Sequence, residues 1–437
     1  MLPIIVHQSV QLVKFIAALG LTLKPAALQH VTNVADELVV ASERRKKTLS
    51  ALNRQQVEPP TDEYAVADCF RQSPWQAADV RQAVLIFLVK FALELARRLK
   101  LDKIIWVSFD DSLCEKDPNT EQLEAVDWHH DHNAHAKRQA TYKKGSVYVL
   151  CRIQIGFIQF TVNWRLYLRE KTVRQINKGR ARAQRVQYVG KTDLALQMLA
   201  ELKSLLPTDF SVYVLFDSWY SSHEIIGYIH QQGWHAIGGL KSNRTVNGKQ
   251  VQQWFKQQRP KTRPRRVRVT SADGKTKTYW VYSLVGRLSK LPFDVCVLVS
   301  LRHPGDKSPA YFFCTDLSLA LSQVLAGYGH RWPCEVDNWY LKVQLGLADY
   351  QMQTLDGILR WHAVVFLTLA YLQWRQVQVL AQQHAHEQPT LADMIEAHRH
   401  EHIVQWLKTV AECAIQSGSV GKVLRRFAGA SPQTGAT

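Results

Sequence analysis

Residues Tyr328 to Lys342 read YGHRWPCEVDNWYLK, and four polar residues within them, Tyr328, Arg331, Glu335 and Lys342, organise the rest of the chain. The last three stand three, seven and fourteen residues after the tyrosine. At 3.6 residues per turn these offsets fall on nearly one face of a helix. That face would carry a phenol, a guanidinium, a carboxylate and an ammonium in a row. A solvated helix surface can look the same. Trp332, Val336, Trp339, Val343 and Leu347, however, recur at three to four residues and predict a core-facing stripe. Pro333 suits a first helical turn, where no backbone N–H is needed. A carboxylate beside basic groups suits a site that holds a metal ion and a phosphate together. The carboxylate binds Mg²⁺ through oxygen, while arginine forks onto phosphate oxygens and lysine meets them as a point charge.

The spacing Tyr-x2-Arg-x3-Glu-x6-Lys resembles the signature of the YREK branch of the DDE transposases of bacterial insertion sequences, and all four positions match. The resemblance covers residues 100 to 350 or so. It implies a ribonuclease H-like core in which Glu335 is the third acidic metal ligand. It also implies that Tyr328, Arg331 and Lys342 hold the transposon end. Such a core needs two further aspartates upstream, each at the end of a strand.

The segment KIIWVSFDDS, Lys103 to Ser112, is apolar, β-branched and ends in two acids. It predicts a buried strand with Asp110 and Asp111 at its end. Alternation along a strand points the two to opposite faces, and either could be the ligand. A run from Val212 to Phe216 followed by Asp217 predicts a second such strand. Ligands gather at that end of strands in open α/β sheets. The resemblance makes Asp217 the second ligand; a plain turn residue at a strand end is the competing reading for all three aspartates.

Between them, Ser146 to Ile155 and Ile158 to Leu168 predict a hairpin turning at Gly156. Three antiparallel strands opening a mixed sheet is the ribonuclease H order. His129, His130, Asp131, His132 and His135 invite a zinc reading. No cysteine partner and no HExxH spacing accompany them, and members of the resembling group carry a histidine- and lysine-rich connector here. Lys191 to Leu206 reads as a helix, after the basic stretch Arg169 to Lys191.

Lys241 to Ala320 alternates turn residues with short apolar runs and reads as a β-rich insertion. Its basic cluster includes Arg263, Arg265 and Arg266, expected to follow a DNA backbone, with Trp280 beside it as a base-stacking candidate or a core residue. Residues 1 to 98 read as a helical, possible DNA-binding domain, with apolar faces at Leu12, Phe15, Ile16, Leu19 and at Val84, Phe87, Leu88, Phe91 and Leu95. The expected fold class is therefore α/β: a ribonuclease H-like mixed-sheet core at 99–350 containing the insertion at 240–320. An N-terminal helical domain and C-terminal helices at 351–428 flank it, and 429–437 is expected to be a disordered tail.

Lys+Arg of 55 against Asp+Glu of 37 gives a net charge of +18 in 437 residues, which favours a nucleic-acid partner over a membrane. The seven cysteines are scattered without a CxxC pair, which argues against a disulfide framework and fits a reducing cytoplasm. No apolar run reads as a membrane span, and MLPIIVHQSV lacks the basic start and cleavage site of a signal peptide. The expected activity is DNA strand cleavage and strand transfer at transposon ends, with two Mg²⁺ ions (Mn²⁺ able to substitute) and a homodimer pairing two ends. The alternatives are a nuclease of the same fold that does not transpose and an inactive DNA-binding relative.

Overall fold

The structure, a computed structural model, describes residues 4–423 except 45, 58–61, 131–141, 271–273, 383–388 and 422. Asp131, His132 and His135 and the tail at 429–437 lie outside the described residues. Five helices come first: α1 (Val10–Ala18), α2 (Pro25–Val40), α3 (Leu49–Asn53), α4 (Glu63–Arg71) and α5 (Ala77–Arg98). The chain then enters the sheet through β1 (Ile104–Glu115), β2 (Asp127–His130), β3 (Tyr142–Ile155) and β4 (Ile158–Tyr167). After α6 (Glu170–Ile176) and α7 (Lys191–Lys203) come β5 (Ser211–Phe216), α8 (His223–Gln231) and β6 (His235–Gly239). A short hairpin, β7 (Thr245–Val246) and β8 (Lys249–Gln250), and α9 (Val251–Gln258) lead to β9 (Arg265–Thr270), β10 (Thr276–Arg287), β11 (Asp294–Leu301) and β12 (Ala310–Cys314). Four helices finish the described chain: α10 (Leu321–Gly329), α11 (Pro333–Trp339), α12 (Leu355–Gln382) and α13 (Leu391–Ser417).

The ten-stranded sheet runs β2-β3-β1-β5-β6-β12-β11-β10-β9, with β4 also paired to β3. The subset β4-β3-β1-β5-β6, antiparallel among its first three and parallel among its last three, is the ribonuclease H-like core expected from the sequence. The β3–β4 hairpin turns at Gly156, whose φ of +55° is a left-handed conformation that glycine adopts without a Cβ penalty. The four antiparallel strands β9 to β12 continue the same sheet rather than forming a separate one.

Where the register shifts between Cys151 and Arg152 of β3, Val162 of β4 has no opposite residue, and Phe160 and Asn163 come to share one face. On one face α5 meets β4 through Phe91 against Phe160. There Glu201 of α7 accepts hydrogen bonds from Arg81 of α5 and Asn163 of β4. On the other face α12 stacks Phe366 on Trp164 with ring centroids 4.6 Å apart. The helices of residues 1–98 and those beyond 351 share one core: Arg360 of α12 donates to the carbonyls of Phe70 and Trp75, both at 2.9 Å.

By length and composition α12 could cross a membrane, a property that the sequence reading did not find; 89% of its most apolar stretch is buried inside the fold. Within it His362 is fully buried with neither ring nitrogen hydrogen-bonded among the described residues. Burial, reinforced by Lys116, pulls its pKa down to about 3. The unfolded chain therefore binds a proton at His362 that the folded chain refuses. This contribution to stability is present above an ordinary histidine pKa and is lost as pH falls from about 6.5 toward 3. His362→Leu should shift the acid-unfolding midpoint to lower pH, read by near-ultraviolet circular dichroism.

Candidate active site

Strand β1 sets out the site. Its residues Trp106, Ser108, Asp110 and Ser112 share one face, and each meets the segment from His330 to Lys342. Trp106 stacks on His330 with centroids 4.6 Å apart. Ser108 Oγ accepts from Cys334 Sγ at 3.1 Å. Asp110 Oδ2 lies 3.3 Å from Arg331 Nη1. Ser112 Oγ accepts from Lys342 Nζ at 2.8 Å. Glu335 Oε1 is 3.4 Å from the same guanidinium, so Arg331 bridges Asp110 and Glu335.

The parallel pairing of β1 with β5 matches Ser108 to Leu215. Two residues further along that register, Asp110 stands opposite Asp217, just beyond the end of β5. Asp217 Oδ1 accepts from the amides of Trp219 and Tyr220, a turn-forming role of the kind that competes with metal binding for strand-end acids. Asp111 points to the opposite face. Its carboxylate accepts from Lys191 Nζ at 2.6 Å and from the Tyr220 hydroxyl at 3.2 Å. Lys191 and Tyr220 were not identified as partners of an acid from the sequence; only alternation along β1 hinted that Asp111 faces elsewhere.

Burial, then the carboxylate of Glu335, pushes the Asp110 carboxyl up to about 8, with Asp111 and Asp217 adding and Arg331 opposing. Arg331 is itself partly buried, which works against its charge, yet Asp110, Tyr328 and Glu335 raise its pKa further. A pocket of carboxylates that disfavours the charged form of one of its members is short of positive charge. Its donors are all hard oxygens, the set that a small divalent cation prefers, so the residues fit such an ion.

The segment 328–342 departs from the expected single helix. α10 ends at Gly329, a tight turn follows, and α11 begins at Pro333, which cannot supply an amide to a continuous ladder. Tyr340–Gln344 then widens into a π turn closed by Leu345 N–H to Tyr340 O at 2.9 Å. Tyr328 thus belongs to α10, yet its hydroxyl still approaches the Asp217–Gly239 corner, and its ring lies 5.9 Å from the Arg331 guanidinium carbon.

The expected core-facing stripe is also corrected. Trp332, Val336, Trp339 and Val343 are exposed at 66, 41, 46 and 41%; only Leu347 is buried. The sheet instead receives Cys334, Asp337, Asn338 and Leu341. Asp337 Oδ2 accepts from Arg152 Nε of β3 at 2.9 Å and from Thr161 Oγ1 of β4 at 2.7 Å. Asn338 Oδ1 accepts from the Tyr148 hydroxyl at 2.8 Å. These polar partners on the strands draw the polar side of α11 inward.

The remaining candidates lie apart from this cluster on the sheet. Arg265 and Arg266 are exposed on the edge strand β9, with Arg263 just before it. Trp280 of β10 is half-buried, paired with Arg266 and packed against the core. Of the histidine cluster, His129 and His130 lie on β2.

The sequence matches the family described as DDE superfamily endonuclease over residues 24–281. That span is more than half of the chain, and the chain belongs to this family of endonucleases, whose members generally use divalent metals. The matched span contains Asp110, Asp111 and Asp217 and stops short of Glu335. No curated protein matches the chain. Among solved structures, the cryo-EM structure of the piggyBac transposase synaptic complex with hairpin DNA is similar at a TM-score of 0.47 and 10% identity, covering 97% of this chain and 84% of that one.

Proposed function

We propose that the protein is a bacterial insertion-sequence transposase of the YREK branch, which cleaves DNA at the ends of its element and joins those ends to a target. The observation that carries this reading is that Asp110 of β1 and Glu335 of α11 share the Arg331 guanidinium, while Asp217, just beyond the end of β5, acts on the same Asp110 carboxyl. Two Mg²⁺ ions held by these three carboxylates, with Mn²⁺ able to substitute, would polarise the attacking and leaving oxygens of an in-line displacement at phosphorus.

The chain's own residues do the rest. Asp110, the most buried of the three, fixes the inner wall. Arg331 balances Asp110 and Glu335 and offers its fork to a phosphate oxygen once those charges are otherwise met. Lys342, held over Ser112, and the Tyr328 hydroxyl bind the phosphates on either side. Asp111, with Lys191 and Tyr220, supports the opposite face of β1 and keeps the strand end rigid. Arg263, Arg265 and Arg266 follow the DNA backbone from the β9 edge, and Trp280 lies beside them. We place the protein in the cytoplasm, acting as a homodimer on paired ends.

A duplex carrying the DNA that flanks the gene, incubated with protein and a target plasmid, tests this reading. Metal-dependent cutting at a fixed position followed by joining to the plasmid supports it. Cutting without joining points to a nuclease instead, and the absence of both overturns the enzyme assignment. Replacing Arg263, Arg265 and Arg266 together by alanine should reduce the slope of log affinity against log salt by about 3, measured by fluorescence anisotropy.

A further inference from the structure

Among the helices, α13 packs against α2. Asp36 of α2 meets His398 and His402 of α13, with the two imidazole Nε2 atoms 2.7 and 2.9 Å from the same oxygen, Oδ1. One donor atom from each of the three residues lies within 4.8 Å of the other two, and the side chains are at most 1% exposed. The histidines stand four residues apart on one helix face, the spacing by which a helix presents two imidazoles to one ion.

Their surroundings orient them. The Ser9 amide donates to the other carboxylate oxygen, Oδ2, at 3.0 Å, leaving Oδ1 for the imidazoles. The Tyr371 hydroxyl lies 3.0 Å from His398 Nδ1, where its oxygen can accept from that nitrogen and so fix the tautomer. Nδ1 of His402 is buried without a partner among the described residues. A dry carboxylate needs a positive counter-charge, either a proton shared with the imidazoles or a metal ion.

The attachment of α13 gives that ion a purpose. This helix buries only Leu391, Met394 and Ile395 as apolar anchors, and His398 and His402 are the last of its buried residues. A clasp at this crossing joins residues 362 positions apart in the chain.

We propose that Asp36, His398 and His402 form a structural zinc site, a donor set of two imidazoles and one carboxylate that zinc accepts, which ties the C-terminal helix to the N-terminal helices. Zinc would bind Oδ1 and both Nε2 atoms, each at about 2.0–2.2 Å. The donors, now at hydrogen-bond separation, would open by about half an ångström to admit it.

The test uses the full-length protein, purified without a polyhistidine tag. Elemental analysis should find about one zinc per chain, retained in Glu335→Gln and lost in His402→Gln. That pair separates this site from the proposed catalytic one. Replacement of zinc by Co²⁺ should give the visible absorption of a tetrahedral cobalt centre, and His402→Cys should add a thiolate-to-cobalt band near the ultraviolet. The cobalt spectrum of wild type decides the matter even if a histidine variant fails to fold. Wild-type protein with no bound zinc, no tetrahedral cobalt spectrum and a melting temperature unmoved by a strong chelator would show that a proton fills the position, and would overturn the proposal.

Discussion

Glu335→Gln is expected to bind transposon-end DNA within a few-fold of wild type and to cleave it at least ~10³-fold more slowly, about 4 kcal/mol of lost transition-state stabilisation. The substitution keeps the size and the exposed position of the side chain, so α11 should stay in place. It removes one negative charge from a site whose proposed work is to gather positive charge at the scissile phosphate. Arg331, now 3.4 Å from Glu335 and 3.3 Å from Asp110, would keep its second partner. Electrophoretic mobility shift and single-turnover cleavage, run on the same preparation, separate binding from chemistry. Asp217→Asn should behave likewise. A Glu335→Gln protein that cuts at the wild-type rate would remove the third acid from the site.

A second large effect is expected beneath the same helix. Arg152 and Asp337 form an ion pair whose side chains are 3 and 4% exposed. Replacing Asp337 by leucine strands a buried guanidinium and should destabilise the fold by ~3–5 kcal/mol. The double variant Arg152→Met with Asp337→Leu removes both charges and should recover most of that loss, as read by the denaturant midpoint. The double variant should nevertheless cleave more slowly than wild type, because Thr161 and Arg152 would no longer fix the register of Glu335 against β1. A double variant as unstable as Asp337→Leu alone would mean that packing, and not the stranded charge, sets the cost.

These two residues also mark where sequence reading stops. The strands ending in Asp110 and Asp217 were legible because continuous apolar, β-branched runs leave little choice of structure, and the β3–β4 hairpin because Gly156 interrupts two such runs. That three antiparallel strands open a mixed sheet followed from those elements together with the resemblance; the order β4-β3-β1-β5-β6 comes from the structure. The orientation of α11 was not legible. Hydrophobic periodicity assigns the tryptophan–valine stripe to the interior, whereas Trp332 and Trp339 face outward. What decides the matter is the supply of buried partners on distant strands: Arg152, Thr161 and Tyr148 for Asp337 and Asn338, and Ser108 for Cys334. Such long-range pairing leaves no local pattern. The choice between Asp110 and Asp111 was open for the same reason, since alternation separates the faces but does not say which one meets α11.

That choice gives the most direct test of the proposed catalytic site. Asp110→Asn and Asp111→Asn should be compared with wild type for Mg²⁺-dependent cleavage of flanking DNA, with EDTA as the control. The geometry predicts that wild type cuts only with the metal, that Asp110→Asn loses cutting while still binding DNA, and that Asp111→Asn retains most of it. Loss with Asp111→Asn and full cutting by Asp110→Asn would contradict the assignment of the site to the face that β1 shares with Arg331 and Glu335.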